Sequence, residues 1–110
     1  MWNKPTGKQL AKLPEFYTTE ETPAEEKTIK MHFFIGGSDW YVAEYDGDDT
    51  FFGFVILNSD YQMAEWGYFS LFELDRAKDR TGIEIDIDLY WQLVKFSEIV
   101  TIKKHILQTV

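Results

Sequence analysis

An acidic turn is the first candidate for chemistry. The sequence Asp46-Gly47-Asp48-Asp49 begins two residues after Glu44, which places four carboxylates close together along the chain. Oxygen ligands at this density suit Mg²⁺ or Ca²⁺, and Glu44, Asp46 and Asp49 are the candidate ligands of a magnesium-dependent hydrolase or nuclease. A calcium-binding loop beginning at Asp46 would need different residues at positions 50, 51 and 57. The same sequence is typical of a polar hairpin turn, which is the simpler interpretation.

A second acidic group alternates with apolar residues. Glu84, Asp86 and Asp88 are every second residue of Ile83-Glu84-Ile85-Asp86-Ile87-Asp88-Leu89. In a strand, such residues lie about 6.6–7 Å apart on one face. The pattern predicts either a row of carboxylates that meets a cation or a basic protein, or the solvent face of an edge strand whose charges prevent further pairing.

Two glutamates lie among aromatic residues. Glu44 belongs to Trp40-Tyr41-Val42-Ala43-Glu44-Tyr45, and Glu65 precedes Trp66. Apolar surroundings raise a carboxyl pKa, as in a general acid, but a core carboxylate paired with a basic or tyrosine side chain fits the pattern equally well. The same region indicates a third possibility, an aromatic groove for a small molecule or peptide, lined by Trp40, Tyr41, Trp66 and Tyr68.

Other catalytic and cofactor motifs are missing from the sequence. No serine lies in a nucleophile elbow, and neither GxGxxG nor a phosphate-binding loop occurs. The chain has no cysteine and two histidines, which leaves little for a structural zinc site. His32 alternates with Lys30 and Phe34 on a predicted strand, where a lone histidine is usually structural. We therefore expect no cofactor.

A predicted antiparallel sheet positions these residues. Alternating or β-rich segments predict five strands, over 29–35, 40–45, 50–57, 64–69 and 83–89. Short turns join the neighbours, which is typical of a meander flanked by short helices. Thr6 to Gln9 and Ser70 to Glu73 are capping boxes, and the second predicts a helix near 70–78. Residues 97–108 have helical spacing, although the β-branched run at 99–102 favours a strand.

A strand register follows if the acidic turn is a four-residue loop. It pairs Tyr45 with Thr50, Glu44 with Phe51 and Val42 with Gly53, and the next hairpin pairs Ile56 with Glu65 and Phe54 with Gly67. Glu44 and Glu65 then lie on opposite sheet faces, which counts against a two-carboxylate hydrolase. Strand 50–57 is apolar on both faces, so each face needs a cover. Gly53 and Gly67 are expected to make room for neighbouring rings.

The composition predicts one acidic α+β domain. The chain has 110 residues, 19 of them aromatic, and its 19 acidic and 11 basic residues give a net charge of −8. The length suits a single domain over 1–110, with a polar part at 1–27, a sheet region at 28–91 and a helix at 97–108. The absence of a membrane-length apolar run and of a signal peptide predicts a cytoplasmic protein. The charge disfavours direct nucleic-acid binding and favours a protein partner with a basic surface, while an uncovered aromatic face would favour a homodimer.

Ordered motifs over most of the chain carry a family resemblance. The main segments are 40–49 (WYVAEYDGDD), 51–55 (FFGFV) and 65–70 (EWGYFS), followed by Glu73-Leu74. Further matches are Leu13-Pro14, Tyr17 and Glu20 upstream, and Glu84, Asp86, Asp88-Leu89-Tyr90 and Ser97-Glu98-Ile99 downstream. Over roughly residues 13–99, the chain resembles a family of small bacterial proteins catalogued as domain of unknown function 2958.

The resemblance implies a setting and no reaction. Such proteins are typically encoded on plasmids, phages and integrative conjugative elements, often near DNA-transfer or anti-restriction functions, and no catalytic residue carries over. Many relatives have Arg where this chain has Ile87, so an Arg–carboxylate pair is not expected there. The leading hypothesis is a non-enzymatic accessory protein that binds a protein partner, with defence evasion or DNA mimicry as a special case. Its candidate contacts are Glu84, Asp86, Asp88, Asp46, Asp48 and Asp49.

Overall fold

The computed structural model describes residues 2–77 and 82–107. Five strands form the central antiparallel sheet: β2 (Met31–Ile35), β3 (Ser38–Tyr45), β4 (Thr50–Ile56), β5 (Glu65–Ser70) and β6 (Asp86–Ile87). Their order is β5-β4-β3-β2-β6, and a separate two-stranded sheet pairs β1 (Thr28–Ile29) with β7 (Val94–Lys95). The helices α1 (Gly7–Leu10), α2 (Leu71–Asp75) and α3 (Val100–His105) are short. The predicted α+β fold with a five-stranded antiparallel sheet is confirmed.

The strand register differs from the prediction by one residue in two places. Val42 pairs with Gly53 as predicted, but a bulge at Ala43 then shifts the pairing, so Glu44 faces Phe52 and Tyr45 faces Phe51. In the next hairpin Val55 pairs with Glu65, Phe54 with Trp66 and Gly53 with Gly67. The two shifts leave the relative orientation unchanged, because Phe52 and Val55 point to opposite faces. The prediction that Glu44 and Glu65 lie on opposite faces is therefore confirmed.

Separate apolar layers cover the two faces of the central sheet. The first face packs against the N-terminal segment, α2 and Ile85, and its core includes Trp2, Leu13, Phe33, Trp40, Val42, Phe51, Phe69 and Leu74. The second face packs against β1 and the segment that contains α3, and its core includes Ile29, Tyr41, Ala43, Phe54, Ile56, Phe96, Ile99 and Ile102. The prediction that both faces of strand 50–57 need a cover is confirmed.

The glycines of β4 and β5 have a different role from the one predicted. A side chain at Gly53 would collide with the backbone of Tyr41 on the neighbouring strand, so this glycine makes room for a main chain and not for a ring. A side chain at Gly67 would meet nothing, since open space lies beside this residue. Only Gly53 is thus required by close packing.

Strand β6 is much shorter than the predicted strand over 83–89. Ile85 and Ile87 are buried, as the alternation requires, but only Asp86 and Ile87 pair with β2. The Asp86 carboxylate accepts the N–H of Ile87 at 2.8 Å, which takes a main-chain donor away from further pairing. Helix α2 likewise ends at Asp75, earlier than predicted, and the break predicted at 79–81 lies outside the described residues.

The terminal segments match the predicted helices in part. The Thr6 capping box is present and opens α1. In the 97–108 region, a 3-10 turn at Phe96–Glu98 precedes α3, and Ile99 occupies the N-cap position in place of the predicted Ser97. Residue 108 lies outside the described part of the chain. Within the described ranges, no helix combines the length and apolar character that crossing a membrane requires.

Candidate functional site

The carboxylates of the acidic turn hold their own loop together. Asp46 Oδ1 accepts the N–H groups of Asp48, Asp49 and Thr50 at 2.8, 3.0 and 3.0 Å. These bonds, chiefly those from Asp48 and Thr50, lower the pKa of the Asp46 carboxyl. Asp49 Oδ1 accepts the N–H of Phe72 at 3.2 Å and so secures the start of α2. The turn interpretation accounts for each of these contacts.

Glu44 is a buried structural carboxylate. Its side chain accepts the N–H of Tyr17 at 3.1 Å, the N–H of Thr19 at 3.0 Å and the Thr19 hydroxyl. The Lys27 ammonium binds the same threonine, at 2.9 Å from Oγ1. Burial acts to raise the pKa of Glu44, but the bonds from Thr19 and Tyr17 and the Lys27 charge outweigh it, and the pKa is lowered. The expectation of a raised pKa suited to a general acid is wrong, because the loop supplies donors that the strand pattern could not reveal.

The structure does not bring the candidate magnesium ligands together. Glu44 points to the 17–19 loop, while Asp46 and Asp49 bind main-chain groups of their own turn and of α2. In the described ranges, no group of three or more histidine or carboxylate side chains is close enough to hold a metal ion.

The predicted row of carboxylates on 83–89 is divided between different surroundings. Asp86 accepts the main-chain N–H of Asn3 at 2.9 Å and its side-chain amide at 3.3 Å. Burial acts to raise the pKa of Asp86, but the bonds from Asn3 and Ile87 outweigh it and lower the pKa. Asp88 instead lies beside His32, in a cleft on the other side of β6 from Glu84 and Trp2. The three residues do not form a single binding row.

The predicted aromatic groove is not formed. Trp40 is buried in the core of the first face, whereas Tyr41 is buried in the core of the second. Trp66 is partly buried on the second face, and Tyr68 is exposed. Burial and the nearby Asp39 charge raise the pKa of Tyr41 to about 12, against a smaller opposing effect of the Thr101 hydroxyl. Glu65 is exposed on the first face.

A cleft at the β2–β6 end of the sheet brings together residues that sequence reasoning did not combine. It has a volume of about 470 Å³, and its lining includes His32, Phe34, Asp39, Asp88, Leu89 and Tyr90. Ile35 pairs with Ser38 across a two-residue turn, in which Gly36 has a φ of 54°. That turn sets Phe34 opposite Asp39 and so brings Asp39 to the side of His32. Asp88 follows β6, and its N–H donates to the carbonyl of His32 at 2.9 Å.

His32 is held between two carboxylates. Its Nε2 lies 2.7 Å from Asp39 Oδ1, and its Nδ1 lies 3.7 Å from Asp88 Oδ2. The buried Nδ1 has no hydrogen-bond partner among the described residues. The ring stacks on Tyr41, with centroids 4.7 Å apart and an interplanar angle of 7°, and also contacts Trp91 at 5.0 Å. The imidazole is therefore fixed on three sides.

These contacts determine what the cleft can do. One imidazole nitrogen is bonded to Asp39 and the other is inaccessible, so His32 has no nitrogen available to exchange a proton with a substrate. The carboxylates of Asp39 and Asp88, in contrast, retain partial exposure of 23% and 35%. Phe34, which stacks on His32, and Tyr90 add exposed aromatic surface. Two carboxylates beside aromatic rings suit a cationic group, above all a planar guanidinium.

The signal for this cleft was present in the sequence but was not used. A two-residue turn at Gly36-Gly37 is enough to pair Phe34 with Asp39 and to bring Asp39 beside His32. Asp88 was predicted as a contact, but as part of an acidic row. Its association with His32 depends on where β6 joins the sheet, which the local pattern does not specify.

The comparisons with known proteins identify a family and nothing closer. Residues 6–106 match the model of a family described as "Protein of unknown function (DUF2958)". No curated protein matches the chain, and no solved structure matches it.

Proposed function

Because the chain belongs to this family of unknown function, whose model spans almost all of it, we propose a function from the geometry of the cleft itself. The protein is a non-enzymatic accessory protein that binds a protein partner, and it does so by taking an arginine side chain of that partner into the cleft beside His32. The observation that carries the proposal is the placement of Asp39 and Asp88 on either side of an aromatic-stacked imidazole.

Charge and shape both favour an arginine over other ligands. The net charge of −8 attracts basic partners over a distance, and the two partly exposed carboxylates provide the local contacts. A guanidinium stacks on an aromatic face while its N–H groups bind carboxylates in pairs, which a compact ammonium does not do. Phe34 and Tyr90 supply such faces at the mouth of the cleft.

The exposed rim favours a macromolecular partner over a free small molecule. Leu89 and Tyr90 have 60% and 90% of their surface exposed at the mouth of the cleft. Apolar surface around a polar anchor is typical of protein interfaces, in which a central arginine is often surrounded by residues that exclude water. A free cation would leave this apolar surface in water.

The alternative of a magnesium-dependent hydrolase has less support from the geometry. Glu44 and Asp46 already accept three main-chain or hydroxyl donors each, and a metal ion would have to displace those bonds. A thermal-shift titration with millimolar Mg²⁺ and Mn²⁺ separates the two functions, since a ligand that binds the folded state must raise its stability.

The family resemblance supports a more specific setting. We propose that the protein is encoded on a mobile element and that its partner is a protein which ordinarily uses arginine to contact DNA phosphates. The acidic cleft then replaces a phosphate group, which is a form of DNA mimicry. Competition between this chain and duplex DNA for an isolated partner, at constant salt, tests this setting.

The binding experiment uses a pair of matched ligands. N-acetyl-arginine amide is titrated into the protein, followed by the citrulline analogue, which keeps the shape and loses the charge. We expect chemical-shift changes at His32, Phe34 and Asp88 with the arginine compound only, and at least roughly tenfold weaker binding of citrulline. Equal shifts with both compounds, or shifts elsewhere, would falsify the proposal.

Variants separate this site from the overall charge. The double substitution Asp39→Asn and Asp88→Asn should abolish the arginine response. Its control, Glu21→Gln with Glu25→Gln, removes the same number of charges from exposed residues outside the cleft and should leave the response intact. Loss of binding in both variants would indicate a general electrostatic effect.

A further inference from the structure

The outer edge of β5 forms the opposite border of the sheet from the cleft. We propose that this edge takes up an extended segment of a partner protein as an additional strand, and that the segment alternates basic and apolar side chains. The inference shares with the proposed function only the premise that the chain binds a protein. It concerns a different surface and has its own test.

The main chain of β5 is available for pairing. Leu71 donates its N–H to the carbonyl of Asp49 at 2.8 Å, in continuation of the β4–β5 register. Since bonding alternates along an antiparallel pair, residues 65, 67 and 69 bond to β4, whereas Trp66 and Tyr68 direct their N–H and C=O groups outward. No strand in the described part of the chain pairs with that side. The edge therefore offers two donors and two acceptors.

The edge also lacks the usual protection against pairing. Natural edge strands are commonly interrupted by lysine, proline or a bulge. The six residues of β5 contain no lysine or proline, and their pairing with β4 is regular along its whole length. Glu65 provides the only charge in the strand. A partner strand of the opposite charge is thus compatible with this edge.

The first face of the edge favours basic side chains. A cavity of about 340 Å³ lies beside Gly67, and its lining includes Glu65 and Glu73 together with Trp40, Leu57 and Leu74. No basic residue lines it in the described part of the chain. A partner residue opposite Gly67 would extend into this space, which no side chain at position 67 occupies. Lysine and arginine suit it, because their stems pack on apolar surface while their charges reach the carboxylates.

The second face of the edge favours apolar side chains. Trp66 and Tyr68 both point to this face, where the Phe52 ring stacks on Trp66 at 5.7 Å and contacts Tyr68 at 5.2 Å. Tyr68 has 59% of its surface exposed. Partner residues opposite these two rings would cover them, and aromatic and β-branched cross-strand pairs stabilise sheets. The two faces together require an apolar–basic–apolar sequence.

A second copy of the chain fits this edge less well. Each copy carries a net charge of −8, and β5 would bring no basic side chain to Glu65 or Glu73 of its neighbour. Like charges brought together across paired strands are unfavourable. Charge complementarity therefore favours a basic segment of a different protein.

The test uses a defined peptide probe. A fluorescent peptide of roughly eight residues that alternates lysine and valine is titrated with the full chain, alongside its glutamate–valine counterpart. We expect saturable binding of the lysine peptide, at least about tenfold tighter than the glutamate peptide, with amide exchange slowed at Trp66 and Tyr68. Absence of binding at about 1 mM protein, or equal binding of both peptides, overturns the inference.

Two variants locate the binding to this edge. Tyr68→Pro removes one outward N–H and no bond to β4, so it should weaken the peptide at least tenfold, whereas Tyr68→Phe should bind as the parent does. Should the proline variant unfold, Glu65→Lys with Glu73→Lys gives an independent answer, because it should reverse the preference toward the glutamate peptide. Unchanged preference in that variant contradicts the inference.

The remaining outcomes are also decisive. A dimer that dissociates on Tyr68→Pro would make a second copy the occupant and overturn the inference. The Asp39→Asn and Asp88→Asn variant should bind the lysine peptide normally, and Tyr68→Pro should retain the arginine response. Failure of one surface is thereby distinguished from failure of the other.

Discussion

The backbone at Gly53 lies directly against the main chain of Tyr41, so that a Cβ at position 53 would stand 2.0 Å from the Tyr41 carbonyl oxygen. Gly67, its cross-strand neighbour, has no atom within 4 Å of the corresponding point. Two glycines paired in one sheet therefore differ completely in their tolerance of a methyl group.

The first prediction follows from this difference. Gly53→Ala should destabilise the protein by about 1–3 kcal/mol, because the methyl group forces β3 and β4 apart. Gly67→Ala is the matched control and should be neutral or stabilising by up to about 1 kcal/mol, since it restricts the unfolded chain without a collision. Urea unfolding of both variants measures the two effects. Equal destabilisation would contradict the proposed contact.

The second prediction concerns the anchor of the 15–27 loop. Glu44→Gln removes the charge that accepts bonds from Tyr17 and Thr19, and should cost about 1.5–3 kcal/mol, as is usual for hydrogen bonds to a charged group. Amide exchange at Tyr17 and Thr19 should accelerate, as the loop detaches locally. Glu21→Gln removes an exposed glutamate of the same loop and should change neither quantity.

The third prediction gives the acid dependence of that anchor. The pKa of Glu44 is lowered from 4.5 in the folded protein, so the unfolded chain binds its proton first as the pH falls. The stabilising contribution is therefore complete above pH 4.5 and decreases as the pH falls through the folded pKa. Unfolding free energies measured across this range should depend less steeply on pH in Glu44→Gln than in the parent. Parallel curves would exclude Glu44 as a source of acid sensitivity.

The fourth prediction concerns alkaline pH. Burial and the Asp39 charge raise the pKa of Tyr41 from 10.0 to about 12, so the unfolded chain loses this proton first. Its contribution to stability is present below pH 10.0 and is lost as the pH rises toward about 12. Ultraviolet titration should show one tyrosine that ionises later than the exposed residues. Tyr41→Phe should remove that late phase, and its persistence would assign it to another tyrosine.

The sheet was predictable because its pattern is local. Alternation and turn residues predicted β2 to β5, and the apolar character of both faces of β4 predicted two covering layers. The bulge at Ala43 was not predictable in this way, since no glycine or proline indicates it. One extra residue there changed the pairing partners of Glu44 and Tyr45.

The candidate site was predictable only in part because its contacts are long-range. Glu44 takes its donors from a loop 25 and 27 residues earlier, where Tyr17 has a φ of 70° that is uncommon for tyrosine. His32 meets Asp88 only because β6 joins the sheet edge beside β2. Residue spacing within one strand carries no information on either contact.

The two covering layers have a spectroscopic consequence. Trp2 and Trp40 belong to the core of the first face, while Trp66 and Trp91 pack against the core of the second, where the Trp91 indole donates to the carbonyl of Ile29 at 3.0 Å. Each side of the sheet thus contains its own pair of intrinsic fluorophores. Variants that keep only one pair would report separately on each layer, and would reveal whether the two sides of this sheet melt together or one after the other.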